Sequence, residues 1–225
     1  MQADQAAGLR NRLSRAGTRA ITLIDTAPDV ALRLAQALIA SEQKALLIDS
    51  LGRHTQKHNT HFLFGWQQQL AQQRLQTWSV AGVDVLHAPG ALAGDADLVQ
   101  AATNYHAVLF DGYPLQSDIA LAPHPQQLLV ALNAQPEALE NVYALIKTLH
   151  QHKLDWQVIL IGEAAPSERI KAAVANYLPV QSGRIEHMNL DTDAHFRALA
   201  ARISAADRDR HPYQNNTGGS CAQHG

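Results

Sequence analysis

Short apolar runs of five or six residues alternate along the chain with longer stretches in which apolar positions recur every three or four residues. The short runs are residues 20–25 (AITLID), 45–49 (ALLID), 83–87 (VDVLH), 107–111 (AVLFD), 127–132 (QLLVAL) and 157–161 (QVILI), with a weaker seventh at 184–188. Most are continuously apolar rather than alternating, the pattern of strands covered on both faces. Three end in Asp49, Asp111 and Gly162, at the edge where an open α/β sheet presents its ligand groups. Helical periodicity fills the gaps. In 29–41, Val30, Leu34, Ala37 and Leu38 share a face. In 136–150, Leu139, Val142, Leu145, Ile146 and Leu149 do so, with Glu137 and Lys147 at the dipole-favoured ends. Residues 167–177 and 193–206 are further helices, and the Gln-rich stretch 66–76 reads as a polar helix face carrying Leu70 and Leu75. This order predicts one α/β domain over 20–206: a mostly parallel sheet, right-handed crossovers and helices on both faces.

Composition narrows the classes. The 225 residues are 46% hydrophobic and 17% charged, with a formal net charge of −2, which suits one globular domain and not bulk-charge binding of nucleic acid. The single cysteine, Cys221, leaves no disulfide framework or zinc ribbon. No run approaches the ~20 apolar residues of a membrane span, and MQADQAAGLR lacks the apolar core of a secretory signal. A cytoplasmic protein is expected. Two segments stand apart: residues 1–19, with Arg10, Arg12, Arg15 and Arg19 against Asp4, and the polar tail 207–225, expected to be disordered.

A parallel sheet whose first strand feeds a helix invites a search for a phosphate loop. Such a loop needs glycines to bring backbone amides around oxygen, a Lys for charge and a Ser or Thr for magnesium. Here the connection reads Asp25-Thr26-Ala27-Pro28-Asp29, with no Gly, no Lys and two carboxylates. Asp49 and Asp111 still stand where strand-end carboxylates would hold magnesium or its water, a position where capping a following turn is an equal alternative. His54, His58 and His61 are spaced to share a face if 52–75 is helical, but no HExxH or cysteine partner accompanies them, so surface positions are expected. Ser50, Ser79, Ser117 and Ser182 lack a GxSxG elbow. Asp25 and Asp29 are expected to cap a helix rather than act as an acid–base pair. The last helix, with Phe196, Leu199, Ala200 and Ile203 beside Arg197 and Arg202, is expected to pack on the sheet rather than reach a membrane.

Residues 4–10 (DQAAGLR) fit the pattern DQAxxLR, which resembles the N-terminal activator motif of the FlhG (FleN) family, MinD/ParA-type ATPases that regulate flagellar number and placement. The resemblance continues in order: LLIDSLG is similar to the family's second-strand LLLDADxG without its second Asp. YHAVLFDGYPLQSD resembles the segment ending in a strand-capping Asp, and residues 129–147 resemble a segment ending YALIK. It covers roughly residues 4–147, and the last quarter matches in layout alone. The family's KGGVGKT is missing from 21–29. The resemblance therefore implies a degenerate member: a P-loop NTPase fold of MinD/ParA type without the P-loop, Asp49 and Asp111 marking a vestigial nucleotide site, and neither ATP nor magnesium as cofactor. An ATPase with an unconventional loop, using both, is the alternative.

The resemblance also implies a partner, the SRP-type GTPase FlhF, whose GTP hydrolysis the arm would stimulate; other flagellar or transcription regulators are further candidates. As a helix, residues 4–13 would align Ala6, Leu9 and Leu13 in a stripe suited to an apolar groove. Gln5 offers an amide to orient a water, Arg10 a guanidinium for acidic or phosphate groups, and Asp4 completes the motif. The plainer alternative is an amphipathic helix packed on its own domain. A scaffold indifferent to nucleotide is the third possibility.

Overall fold

The computed structural model describes residues 18–54, 65–72, 75–115, 126–152, 156–178 and 184–205. The arm residues Asp4, Gln5, Ala6, Leu9, Arg10 and Leu13, the histidines His58 and His61, and the tail with Cys221 lie outside them.

Among the described residues eight strands form one sheet: β1 (Arg19–Ile24), β2 (Ala45–Asp49), β3 (Trp78–Val80), β4 (Val83–His87), β5 (Ala107–Tyr113), β6 (Gln126–Leu132), β7 (Trp156–Gly162) and β8 (Ile185–Met188). Their order across the sheet is β3-β4-β2-β5-β1-β6-β7-β8, parallel throughout except for β3, which runs antiparallel to β4. The predicted mostly parallel sheet is therefore observed, with an antiparallel edge strand that the pattern did not announce. β3 is three residues long, and it turns into β4 through Ala81 (φ 50°) and Gly82 (φ 82°). Two successive positive φ values make the primed hairpin turn whose twist suits paired strands.

Among the described residues six helices cover the faces: α1 (Pro28–Ala40), α2 (Trp66–Ala71), α3 (Ala96–Ala101), α4 (Pro136–Gln151), α5 (Ala164–Tyr177) and α6 (Asp193–Ala205). Alternate strand residues sort into two layers. Ile21, Leu23, Leu47, Val85, Leu109, Leu129 and Ile159 pack beneath α1 and α6. On the opposite face, Leu46, Ile48, Val108 and Phe110 meet α2 and α3, while Leu128, Val130, Val158 and Leu160 meet α4 and α5. Period-two alternation between two apolar layers explains why the strands read as unbroken apolar runs. In α6, Phe196, Leu199, Ala200 and Ile203 are all buried, so the helix packs on the sheet as expected.

Several boundaries move for local reasons. Helix α5 begins at Ala164, three residues before the predicted start, because Pro166 sits in the first turn, where its missing N–H costs no intrahelical bond. Helix α3 is a short element capped by Asp95, whose carboxylate accepts from the amides of Asp97 and Leu98. Within 52–75, the stretch that would align His54, His58 and His61 if helical, residues 53–54 make a turn and 66–71 form α2, while residues 55–64 and 73–74 lie outside the described residues. At the far side of the sheet a polar ladder crosses three strands. Gln127 donates to Gln157 (2.9 Å), Gln157 to Glu186 (3.0 Å), and Glu186 pairs with Arg202 of α6.

Candidate functional site

The sheet reverses its winding around β1, whose neighbours are β5 and β6, and the carboxyl edge at such a reversal is where open α/β sheets place ligands. Asp49 and Asp111 meet there. They are register partners on the adjacent parallel strands β2 and β5, and both are fully buried. A β-bulge on β5 helps set this edge: the β1–β5 register shifts between Thr22 and Ile24, beside Gly112 at φ 96°. A Cβ on Gly112 would stand 2.8 Å from Ser50 Oγ and 2.9 Å from Leu51 Cγ, so glycine lets the β2 loop lie directly against β5. Ser50 then bonds the Asp111 carbonyl through its hydroxyl (2.6 Å) and amide (3.3 Å).

The two carboxylates are engaged by the residues that follow β2. Asp49 accepts from the Arg53 amide at Oδ1 (2.8 Å) and from the His54 amide at Oδ2 (3.0 Å). The same loop returns its side chains to Asp111. His54 Nε2 lies 2.8 Å from Asp111 Oδ2, and Arg53 Nη1 lies 3.8 Å from Oδ1. Arg53 Nη1 also donates to the carbonyl of Thr26 (3.0 Å), in the connection between β1 and α1. Arg53 thus spans the gap between that connection and β5. A cation in this gap offsets two buried carboxylates that would otherwise repel each other and lose solvation.

The β1–α1 connection itself is three residues long, Asp25 to Ala27. Asp25 adopts φ 56°, and its amide donates to the Tyr113 carbonyl (2.8 Å). Left-handed backbone is uncommon outside glycine, with Asp among the better tolerated residues. The α1 N-cap is Ala27 and makes no side-chain cap bond. The expected capping by Asp25 or Asp29 is therefore not found. Pro28 holds the first-turn position instead, and Asp29 sits in the first turn with its carboxylate 3.7 Å from Arg33. Two buried oxygens beside Arg53, Thr26 Oγ1 and Asp111 Oδ1, have no hydrogen-bond partner among the described residues.

The sequence marks both carboxylates but not their partners. His54, expected at the surface with His58 and His61, has its imidazole buried against Asp111. The cue lay in the order of residues: a basic pair, Arg53-His54, follows a strand-end Asp by four positions, close enough for the loop to fold back. No cluster of three or more metal-ligating His, Cys, Asp or Glu occurs among the described residues. No helix among them is long and apolar enough to cross a membrane.

Solved structures share this architecture. The ParA protein of pNOB8, bound to nonspecific DNA, superposes with a TM-score of 0.51 at 12% identity, covering 84% of this chain and 99% of that one. The fold is that of the ParA/MinD-type P-loop NTPases. A plasmid partition protein from Borrelia burgdorferi (TM-score 0.50, 13% identity) covers 86% of this chain and all of its own. Cobyrinic acid a,c-diamide synthase from Mycobacterium smegmatis, bound to an ATP analogue and magnesium, gives TM-score 0.50 at 13% identity, over 86% of this chain and 97% of that one. Identities this low speak to the ParA/MinD-type fold alone. No family model and no curated protein sequence matches the chain.

Proposed function

We propose that the chain is a non-catalytic regulator of the FlhG kind. It engages an SRP-type GTPase of the FlhF kind through Asp4, Gln5, Ala6, Leu9, Arg10 and Leu13, stimulates its GTP hydrolysis, and so helps set flagellar number and placement. Its place is the cytoplasm, with recruitment to the pole or flagellar assembly site. One juxtaposition carries the reading: a DQAxxLR segment stands ahead of a ParA/MinD-type sheet whose strand-end carboxylates are already engaged by Arg53 and His54.

The donor set supports the negative half of the proposal. A magnesium triphosphate needs a lysine, a run of free amides and carboxylate oxygens open to the metal or its waters. The three-residue connection supplies no lysine, Pro28 no amide, and Asp49 spends both oxygens on its own loop. Action by contact then leaves the arm as the working part, with Gln5 placed to orient a water in the partner's site and Arg10 to meet its acidic or phosphate groups. The test is GTP turnover by the cognate GTPase with the wild-type chain and with Gln5→Ala. Stimulation by wild type and its loss in the variant are expected; no stimulation by wild type overturns the activator role.

One observation favours the alternative, an ATPase with an unconventional loop. Thr26 Oγ1 and Asp111 Oδ1 are buried beside the Arg53 side chain without hydrogen-bond partners among the described residues, and a ligand atom or water is one way to satisfy such groups. Calorimetry with ATP and magnesium separates the two readings. Heat of binding at micromolar to low millimolar nucleotide would establish this second one.

A further inference from the structure

An open groove of about 820 Å³ runs between α2 and α3, and neither strand-end carboxylate is among its described lining residues. Trp66, Leu70 and Ala101 give it apolar surface, and Asp95 and Asp97 line it as acids, with no Lys or Arg among its described lining residues. The chain enters the described structure at the rim of this groove. Thr18 Oγ1 donates to the carbonyls of Tyr105 (2.9 Å) and Ala102 (3.4 Å), and the lining includes Ala101, Thr103 and Asn104. Whatever precedes Thr18 therefore starts beside the groove.

What precedes it is complementary. Residues 1–17 carry Arg10, Arg12 and Arg15 against the single acid Asp4. On a helix, Ala6, Leu9 and Leu13 form one stripe, and Arg10 and Arg12 flank it on either side. At about 1.5 Å per residue, positions 9–15 of such a helix fall roughly 5 to 14 Å from Thr18, within reach of two six-residue helices. A second cavity near Thr18 fits less well, because Lys44 lines it beside Glu42 and Asp84.

We propose that in the free protein residues 4–15 dock in the groove between α2 and α3 of their own chain, leucines toward Trp66 and Leu70 and arginines toward Asp95 and Asp97. The docking stands on the groove and the arm alone. Its consequence rests on the function proposed above: the docked arm hides the surface that the GTPase would need, so engagement requires release.

Hydrogen exchange on the full-length protein tests it. With Leu9→Asp and Leu13→Asp together, amides of residues 65–71 and 96–104 are expected to exchange several-fold faster than in wild type, while β1 and β5 keep their protection. Asp97→Arg, at an exposed position that is not the α3 cap, should do the same. Adding Arg10→Asp and Arg12→Asp to Asp97→Arg should restore slow exchange. Equal exchange in all variants overturns the proposal. So does a change confined to residues 39–45 and 82–84, and so does protection that grows with protein concentration, which would place the arm of a second copy in the groove. A failure of the GTPase reading would appear as unchanged GTP turnover with these exchange differences intact.

Discussion

His54 Nε2 lies 2.8 Å from Asp111 Oδ2, with 2% of the histidine side chain and none of the aspartate side chain exposed. Removing one member of a buried polar pair leaves the other desolvated and unpaired, which costs about 3 kcal/mol. His54→Ala should therefore destabilise the fold by roughly that amount in urea denaturation. Arg53→Ala should cost less, about 1 kcal/mol, since its side chain is 25% exposed and stands 3.8 Å from the carboxylate. Equal losses would mean that the guanidinium holds Asp111 as firmly as the imidazole does.

Two glycines should differ sharply. A Cβ on Gly162 (φ 137°) would lie 2.4 Å from the Leu132 carbonyl oxygen, a backbone atom in the paired strand β6. A Cβ on Gly112 would meet side-chain atoms of Ser50 and Leu51, which can shift. Gly162→Ala is expected to destabilise by about 3 kcal/mol or more and Gly112→Ala by about 1–2 kcal/mol. Denaturant midpoints of the two variants decide the order.

Alkaline stability should depend on Tyr105. Burial, then its hydrogen bond to Asp84, pushes the phenol from 10.0 up to about 12. The folded state then holds a proton that the unfolded chain releases, so this contribution is complete below pH 10 and is lost as pH rises toward 12. Burial raises Tyr113 as well, in the same direction. The denaturant midpoint should fall between pH 10 and 12, and less steeply in Tyr105→Phe. A parallel decline in the variant would assign the effect to other groups.

The Arg33 guanidinium lies 4.2 Å from the centroid of Phe196 and 2.9 Å from Asp193, tying α1 to α6. With the side chain 31% exposed, Arg33→Ala should cost about 1 kcal/mol, and Arg33→Lys should lose much of the stacking while keeping the charge. Thermal melts at low and high salt separate the two, because only the ion-pair part is screened.

The sheet was legible because burial on both faces writes each central strand as an apolar run. All seven predicted strands formed, 45–49 and 83–87 at the expected limits. Strand β3 escaped because Trp78, Ser79 and Val80 are too few to establish a period and are held by cross-strand pairing with β4. Helix α3 escaped for a similar reason, although Asp95 ahead of Leu98 and Val99 was a readable cap. At the site, strand ends located Asp49 and Asp111, since the ends of apolar runs are visible in sequence. The return of Arg53 and His54 onto Asp111 is a loop conformation. It depends on Gly112 leaving room for Leu51, a contact sixty-odd residues apart that no local pattern encodes.

The ladder from Gln127 through Gln157 to Glu186 has a bearing on how the last third of the sheet assembles. Side chains alternate faces along a strand, so sliding β7 by a single residue would swing the Gln157 amide to the opposite layer, among the apolar side chains of α4 and α5. Both of its bonds would break together, stranding an amide in hydrocarbon and leaving Glu186 to Arg202 alone. Three polar side chains in an otherwise greasy layer therefore act as an alignment key, admitting one registration of β6, β7 and β8 and penalising its neighbours.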